Sequence, residues 1–200
     1  MLRIIMTLCL IFILPLMAAA SGTENDTHPL TANEKNTFAP LVCQESGQRN
    51  KMNRCAKVIG FPTDSGRNDE DSDLSLDVIT YGSFTRQNAD EAYVSYTSYS
   101  LEPHANNFGG GILFERINEE WKLIKWYRGS QMDNCLALSV DGRQNMLCLD
   151  GYVGQGQVDS SVWIEQVPAT GENTERKLIL AAQDDRKAGS PESRPNRGSN

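Results

Sequence analysis

Histidine is nearly missing from this chain: His28 and His104 are the only two in 200 residues. A Ser-His-Asp triad, a two-histidine zinc site and a phosphohistidine mechanism all route through imidazole, so the shortage weighs against hydrolytic chemistry. His28 falls in a polar stretch expected to be a flexible leader, which leaves His104 as the one acid-base candidate. No G-x-S-x-G elbow, H-E-x-x-H helix or P-loop occurs. Gly151-Tyr152-Val153-Gly154-Gln155-Gly156 lacks the lysine and following helix that phosphate binding requires. Basic residues are outnumbered as well, 19 against 26 acidic, for a net charge of −7. They are scattered without a stripe, so nucleic acid and anionic lipid are poor partners. Beyond the first twenty residues no apolar run nears the roughly 20 residues of a membrane-spanning helix.

What is present starts with an address. Arg3 precedes an apolar run from Ile4 to Met17, and Ala18-Ala19-Ala20 supplies small residues before Ser21. That pattern is a secretory signal peptide over residues 1–20, cleaved after Ala20, and predicts export to the periplasm or cell exterior. Without those residues, and so without Arg3, the net charge is −8. Four cysteines then remain, Cys43, Cys55, Cys135 and Cys148. In an oxidising compartment an even count reads as disulfides. Of the three possible connectivities, the near-equal spacings favour Cys43 with Cys55 and Cys135 with Cys148, each contributing about 3 kcal/mol on a loop-entropy argument. Short C-x2-4-C zinc pairs and C-x-x-C redox pairs are both absent.

Residues 21–40, rich in Thr, Asn, Glu and Pro, are expected to be a flexible leader, and 183–200 a disordered tail. The folded unit is then a single β-rich domain over residues 41–182. Within it, strand-like runs cover Leu74–Tyr81, Glu91–Tyr99, Gly110–Ile117, Glu120–Arg128, Cys135–Val140, Met146–Tyr152, Ser160–Val167 and Arg176–Ala182. A short helix is placed near Lys51–Val58. Asn118-Glu119 between two of the runs predicts a hairpin, with Trp121 and Leu123 facing opposite to Ile124 and Trp126. The fold class is mainly β: an antiparallel sandwich, small barrel or propeller-like sheet stack, braced by disulfides.

Arg-Gln-Asn occurs twice before a strand-like run, at Arg86-Gln87-Asn88 and Arg143-Gln144-Asn145. Segments Gly82–Ala92 and Val140–Leu147 around them resemble the turn-then-strand units of FG-GAP-type propeller blades. Both lack the aspartate-rich calcium loop of that family, and the domain is too short for a six- or seven-bladed ring. The segment His104-Ala105-Asn106-Asn107-Phe108-Gly109-Gly110 resembles one found in uncharacterised exported bacterial β-rich proteins, a likeness that implies no activity.

Several constellations bear on function. Asp69-Glu70-Asp71-Ser72-Asp73 offers alternate carboxylates, Asp69, Asp71 and Asp73, to a hard cation such as calcium. Counted as an EF-hand it has Leu74 where Gly is needed and Thr80 where Glu is needed, so the expectation is a solvated loop before the Leu74 strand and no metal. His104, Asn106, Asn107 and Phe108, with the glycines that follow, form a loop that presents a contact surface or caps a turn, the glycines supplying positive φ. Glu91, Glu102, Glu115 and Asp150 are carboxylates that a glycoside hydrolase would pair. Tyr93, Tyr99, Trp121, Trp126, Tyr127 and Trp163 are expected to be mostly core, with Trp121 and Trp126 the candidates for a binding face. The resulting expectation is an exported, non-catalytic binding protein without cofactor, of inhibitor or immunity type, whose partner is another exported protein. Its loops 60–73, 102–111 and 151–159 would make the contacts. The alternatives are a small secreted hydrolase using His104 with a carboxylate, and a carbohydrate-binding module using exposed tryptophans.

Overall fold

The computed structural model describes residues 27–49, 52–62, 70–100, 109–154, 157–170 and 173–184. Among them, the elements in chain order are β1 (Thr27–Pro29), α1 (Ala32–Val42), β2 (Cys43–Arg49), β3 (Met52–Val58), β4 (Glu70–Asp73), β5 (Ser75–Gly82), β6 (Glu91–Thr97), β7 (Gly109–Ile117), β8 (Glu120–Arg128), β9 (Cys135–Val140), β10 (Arg143–Gly154), β11 (Gln157–Gln166) and β12 (Glu175–Asp184). The strands pair antiparallel into three sheets, ordered β1-β5-β6-β7-β8, β12-β11-β10-β9 and β2-β3-β4. The mainly β, disulfide-braced class is therefore observed, as stacked open sheets. Among the described residues no sheet closes into a barrel.

β6 sets the layering. Its period of two sends Ala92, Val94 and Tyr96 to one face and Glu91, Tyr93 and Ser95 to the other, and all six are buried. A strand covered on both faces requires a layer on each side. On the first side, Phe38 and Val42 of α1 pack with Cys43, Cys55 and Val58 of β2–β3 against Val94, Tyr96, Ile112, Phe114 and Trp126. On the second, Tyr93, Leu113 and Tyr127 meet Phe84, Met132, Cys135, Met146, Cys148 and Val167. Each covering layer holds one disulfide, Cys43–Cys55 in the first and Cys135–Cys148 in the second. The two local bridges expected from spacing are the ones formed, and Cys135 and Cys148 are direct partners across β9 and β10.

Glycine lets the central sheet take its aromatics. Gly109, Gly110 and Gly111 lie in β7 and are buried. A Cβ at Gly111 would overlap the Tyr93 ring, and one at Gly110 would overlap the carbonyl of Tyr127. These glycines were expected to supply positive φ, yet none is among the positive-φ residues; what they supply is room for close approach. Positive φ is instead found at Asn118 (52°) and Glu119 (69°), and at Asp141 (51°) and Gly142 (70°). Two such residues between paired strands make a type I′ turn, whose twist matches that of the hairpin. The Arg86–Asn88 and Arg143–Asn145 segments meet at the junction of two sheets. There Gln87 Nε2 donates to the Asp141 carbonyl at 2.6 Å, and Arg143 Nε and Nη2 donate to the Phe84 carbonyl at 3.1 and 2.9 Å.

Five expectations are corrected. The leader over 21–40 is structured from Thr27 onward, where β1 pairs with β5 and α1 follows. Thr31-Ala32-Asn33-Glu34 is a capping box, which starts a helix that buries only Phe38 and Val42; so thin an apolar stripe leaves little period to read. Met52–Val58 is strand β3 in place of the helix expected over Lys51–Val58, because it pairs antiparallel with β2 on one side and β4 on the other. The acidic run contributes strand β4 in place of a loop, with register setting Asp73 against Arg54 and Glu70 against Lys57. Trp121, Leu123 and Trp126 share one core side: Leu113 pairs with Lys125 and Phe114 with Leu123, so Ile124 is the extra residue of a bulge that shifts the alternation. The domain continues through Asp184, where β12 ends, two residues past the expected boundary. Residues 1–20, the predicted signal peptide, and 185–200 lie outside the described residues.

The glycine cradle sets one expectation. Gly111→Ala should lower folding stability by about 2–4 kcal/mol in urea titration, since overpacking against a buried tyrosine has no relief on either side. Gly151→Ala is the control: its Cβ would sit 3.7 Å from the Asp159 carbonyl, an ordinary contact, and should change stability by less than about 0.5 kcal/mol.

Candidate functional site

His104, Asn106, Asn107 and Phe108 lie outside the described residues, as do Asp69 and Glu102. Of the acidic run, Asp73 accepts from Ser98 Oγ at 3.2 Å, Tyr99 N at 3.2 Å and Ser100 N at 2.8 Å, and also from the Ser100 hydroxyl. Burial alone would raise its pKa, but the bonds from Ser100, Tyr99 and Ser98 together hold it below the ordinary value. Asp73 thus anchors the turn after β6. Among the described residues no group of three or more His, Cys, Asp and Glu side chains converges as a metal site. The expected loops 60–73 and 151–159 are also partly strand, contributing to β4, β10 and β11.

The aromatics sort by depth. Tyr93, Trp126 and Tyr127 are buried, Trp121 and Trp163 are partly covered, and Tyr99 is 57% exposed. Tyr93 Oη donates to the Ser130 carbonyl at 2.8 Å and Trp126 Nε1 to that of Ile59 at 3.0 Å. Burial pushes the Tyr127 phenol up to about 12, with Glu91 adding to the effect. Arg116 lies over the Trp121 ring at 4.5 Å and Arg176 over Trp163 at 5.1 Å. Neither of these two indoles lies bare as a stacking platform for sugar rings.

The candidate catalytic carboxylates are tied into structure. Glu91, 1% exposed, accepts from the backbone N–H of Phe84 at 2.6 Å and of Thr85 at 2.9 Å, and from the Thr85 hydroxyl. Its partner across the strands is Glu115, and Arg86 reaches both. Asp150 pairs with Arg176 at 3.2 Å. A second buried carboxylate, Glu165, was not singled out in the sequence. It accepts from the Thr174 hydroxyl, and Arg176 Nε lies 3.3 Å from its Oε2 without hydrogen-bond alignment.

His28 is in β1, contrary to its expected place in a flexible leader, and its Nε2 lies 3.1 Å from Glu34 Oε1. Tyr81 Oη donates to the same oxygen at 2.9 Å, while Thr31 N and Oγ1 donate to Oε2, both at 2.8 Å. This His-Glu-Tyr arrangement is a helix cap extended onto the sheet. The sequence carried its signal in the Thr31–Glu34 spacing.

Two open clefts of about 470 Å³ lie elsewhere among the described residues. One, lined by Gly60, Pro62, Ile124, Lys125 and Arg128, runs along β8; the other, lined by Asp133, Asp150, Asp159 and Arg176, borders the Cys135–Cys148 bridge.

The largest chemical anomaly is apolar. Cys135 and Ala137 face the second core, so the alternate residues of β9, Leu136, Leu138 and Val140, face outward. Register continues that outward face: Leu136 opposes Leu147, Leu147 opposes Ile164, Leu149 opposes Val162 and Val162 opposes Leu180. Leu136 is 68% exposed, Leu149 60% and Leu180 61%. A single exposed leucine needs no explanation, but an aliphatic face in register across four strands does. Its signal in the sequence is the consecutive apolar runs Cys135–Leu138 and Met146–Leu149, which give β9 and β10 two apolar faces.

No family model, no curated protein and no solved structure matches the chain.

Glu34 sets a pH expectation. Burial opposes its charge, but the bonds from Thr31, Tyr81 and His28 outweigh it and bring the carboxyl down from 4.5 to about 2. The unfolded chain therefore takes up this proton first. The stabilisation is complete above about pH 4.5 and is lost as pH falls through about 2. Glu34→Gln should cost about 1 kcal/mol at pH 7 and flatten the acid limb between those limits, read by thermal melts across pH.

Proposed function

We propose that the chain is an exported, non-catalytic binding protein that docks a partner protein through the outer face of β9–β12. The observation that carries this reading is the aliphatic surface of Leu136, Leu138, Val140, Leu149 and Leu180. Water-exposed apolar groups in one continuous patch gain free energy only when a second surface removes them from solvent. Support also comes from the carboxylates. Glu34, Glu91 and Glu165 are engaged in capping and loop anchoring, which spends the groups that acid-base chemistry would use. Two disulfides in the covering layers suit an oxidising compartment outside the cytoplasm, and among the described residues no helix is long and apolar enough to cross a membrane. The partner is a protein that shares that compartment.

A Leu136→Asp/Leu149→Asp variant tests the reading. Both side chains are already exposed, so the variant should keep its circular dichroism spectrum and melt within a few degrees of the parent. A protein captured by the parent from the exported fraction, once purified, should bind the variant at least about 100-fold more weakly. Equal affinity for parent and variant would remove the face from the function.

A further inference from the structure

We infer that the partner of this face is a second copy of the chain, two β9–β12 sheets stacking face to face about a two-fold axis. The inference rests on the docking reading above and names its occupant.

The first argument is the pattern of the strands. Cys135-Leu136-Ala137-Leu138 in β9 and Met146-Leu147-Cys148-Leu149 in β10 are apolar at consecutive positions, so both faces of each strand are apolar. Continuous apolar strands are those buried on both sides. The fold buries one side, where Cys135, Met146 and Cys148 join the second core, and leaves Leu136 and Leu149 in water.

Charge narrows the choice of cover. Each chain carries −7, so two copies repel unless their contact surface is itself uncharged or balanced. This face is both. Its aliphatic centre carries no ionisable group; at one end the register sets Lys177 beside Ile164 and Glu175 beside Gln166, and Arg143, which opposes Val140, is held by the Phe84 and Val167 carbonyls. A basic partner would find no acidic patch at that centre, and an anionic membrane would be repelled by the acidic chain.

Area and shape complete the case. Four strands about 4.8 Å apart, each giving about six residues at about 3.4 Å, make a plane of about 400 Å². That plane is about half the roughly 800 Å² per partner of a standard interface, and the polar rim around it adds to the contact. A two-fold contact uses the same patch twice, and aliphatic sheet faces pack against one another about 10 Å apart, as in β-sandwiches.

Sedimentation velocity on the purified full chain, from about 1 to 100 μM and at low and high salt, tests the proposal. The expected result is a monomer–dimer equilibrium that tightens with salt, because screening relieves the repulsion between two acidic chains. Leu149→Asp should weaken it at least about 100-fold, since a two-fold axis buries the new charge twice, while Lys122→Asp on β8 should leave the dimer in place. Should Leu149→Asp fail to fold, Leu136→Ser on the edge strand carries the same comparison.

A chain that stays monomeric throughout, or a dimer indifferent to Leu149→Asp and Leu136→Ser, overturns the proposal. A monomer whose melting temperature falls with Leu149→Asp also overturns it, by assigning the face to a segment of the same chain. The two readings separate cleanly. A monomer that still binds a captured protein through Leu136 and Leu149 removes the second copy and keeps the docking face, whereas a monomer indifferent to both residues removes the two together.

Discussion

Burial of β6 on both faces is the constraint from which the remaining architecture follows. Tyr96 and Val94 point one way, Tyr93 and Ser95 the other, and none keeps contact with water. One covering layer would leave about half of that apolar surface exposed, so the chain builds two from different materials. The first is a capped helix with a small three-stranded sheet; the second is a four-stranded sheet and its flanking turns. Each disulfide lies inside a covering layer and not between layers, with its cysteines buried against the central sheet. The covers are thus stiffened separately, and the attachment of each to the centre is left to side-chain packing.

Buried polar groups follow from the same constraint. A carboxylate placed beneath a covering layer must find donors or bear a heavy desolvation penalty. Glu91, which opens β6, finds them in Phe84 and Thr85, and so fastens the 83–90 turn over the second core. Glu34 finds them in Thr31 and Tyr81, which fastens α1 over the first. Glu91, which invites a catalytic reading in the sequence, is in the fold a clasp of one layer. Asp150, which stays accessible, is paired on the surface with arginine.

Some of this was legible beforehand for simple physical reasons. Strand runs such as Glu91–Thr97 and the hairpin at Asn118-Glu119 depend on local alternation and turn chemistry, and near-equal cysteine spacing reflects pairing across adjacent strands. What escaped depended on non-local partners. α1 buries just two side chains, so its capping box was a better signal than its period. The Ile124 bulge leaves no local trace, because alternation through Glu120–Arg128 reads the same with or without it until β7 fixes the register. The glycine run gave the residue type but not the reason, since the Tyr93 ring that needs the space comes from a neighbouring strand. The candidate site was the least legible part. The expected His104 loop lies outside the described residues, while the aliphatic face arises only when four strands come into register.

The two covering layers differ in one respect that bears on how the molecule works. In the first, the outward positions of α1 are Asn33, Lys35, Asn36 and Thr37, and exposed positions of β2–β3 include Gln44 and Lys57, so that layer ends in water. In the second, the outward positions of β9 and the middle of β10–β12 are leucine, isoleucine and valine, so its centre ends in a surface of the kind that usually begins a core. Composition does not force this difference, because the chain has acidic and polar residues in plenty. Nor does strand formation, since alternation of polar and apolar residues would have built the sheet equally well. Leucines held outward at aligned positions on adjacent strands serve neither solubility nor the fold of one chain. Their physical logic is that of an unfinished sandwich, in which the sheet already packed on one side is shaped to pack again on the other.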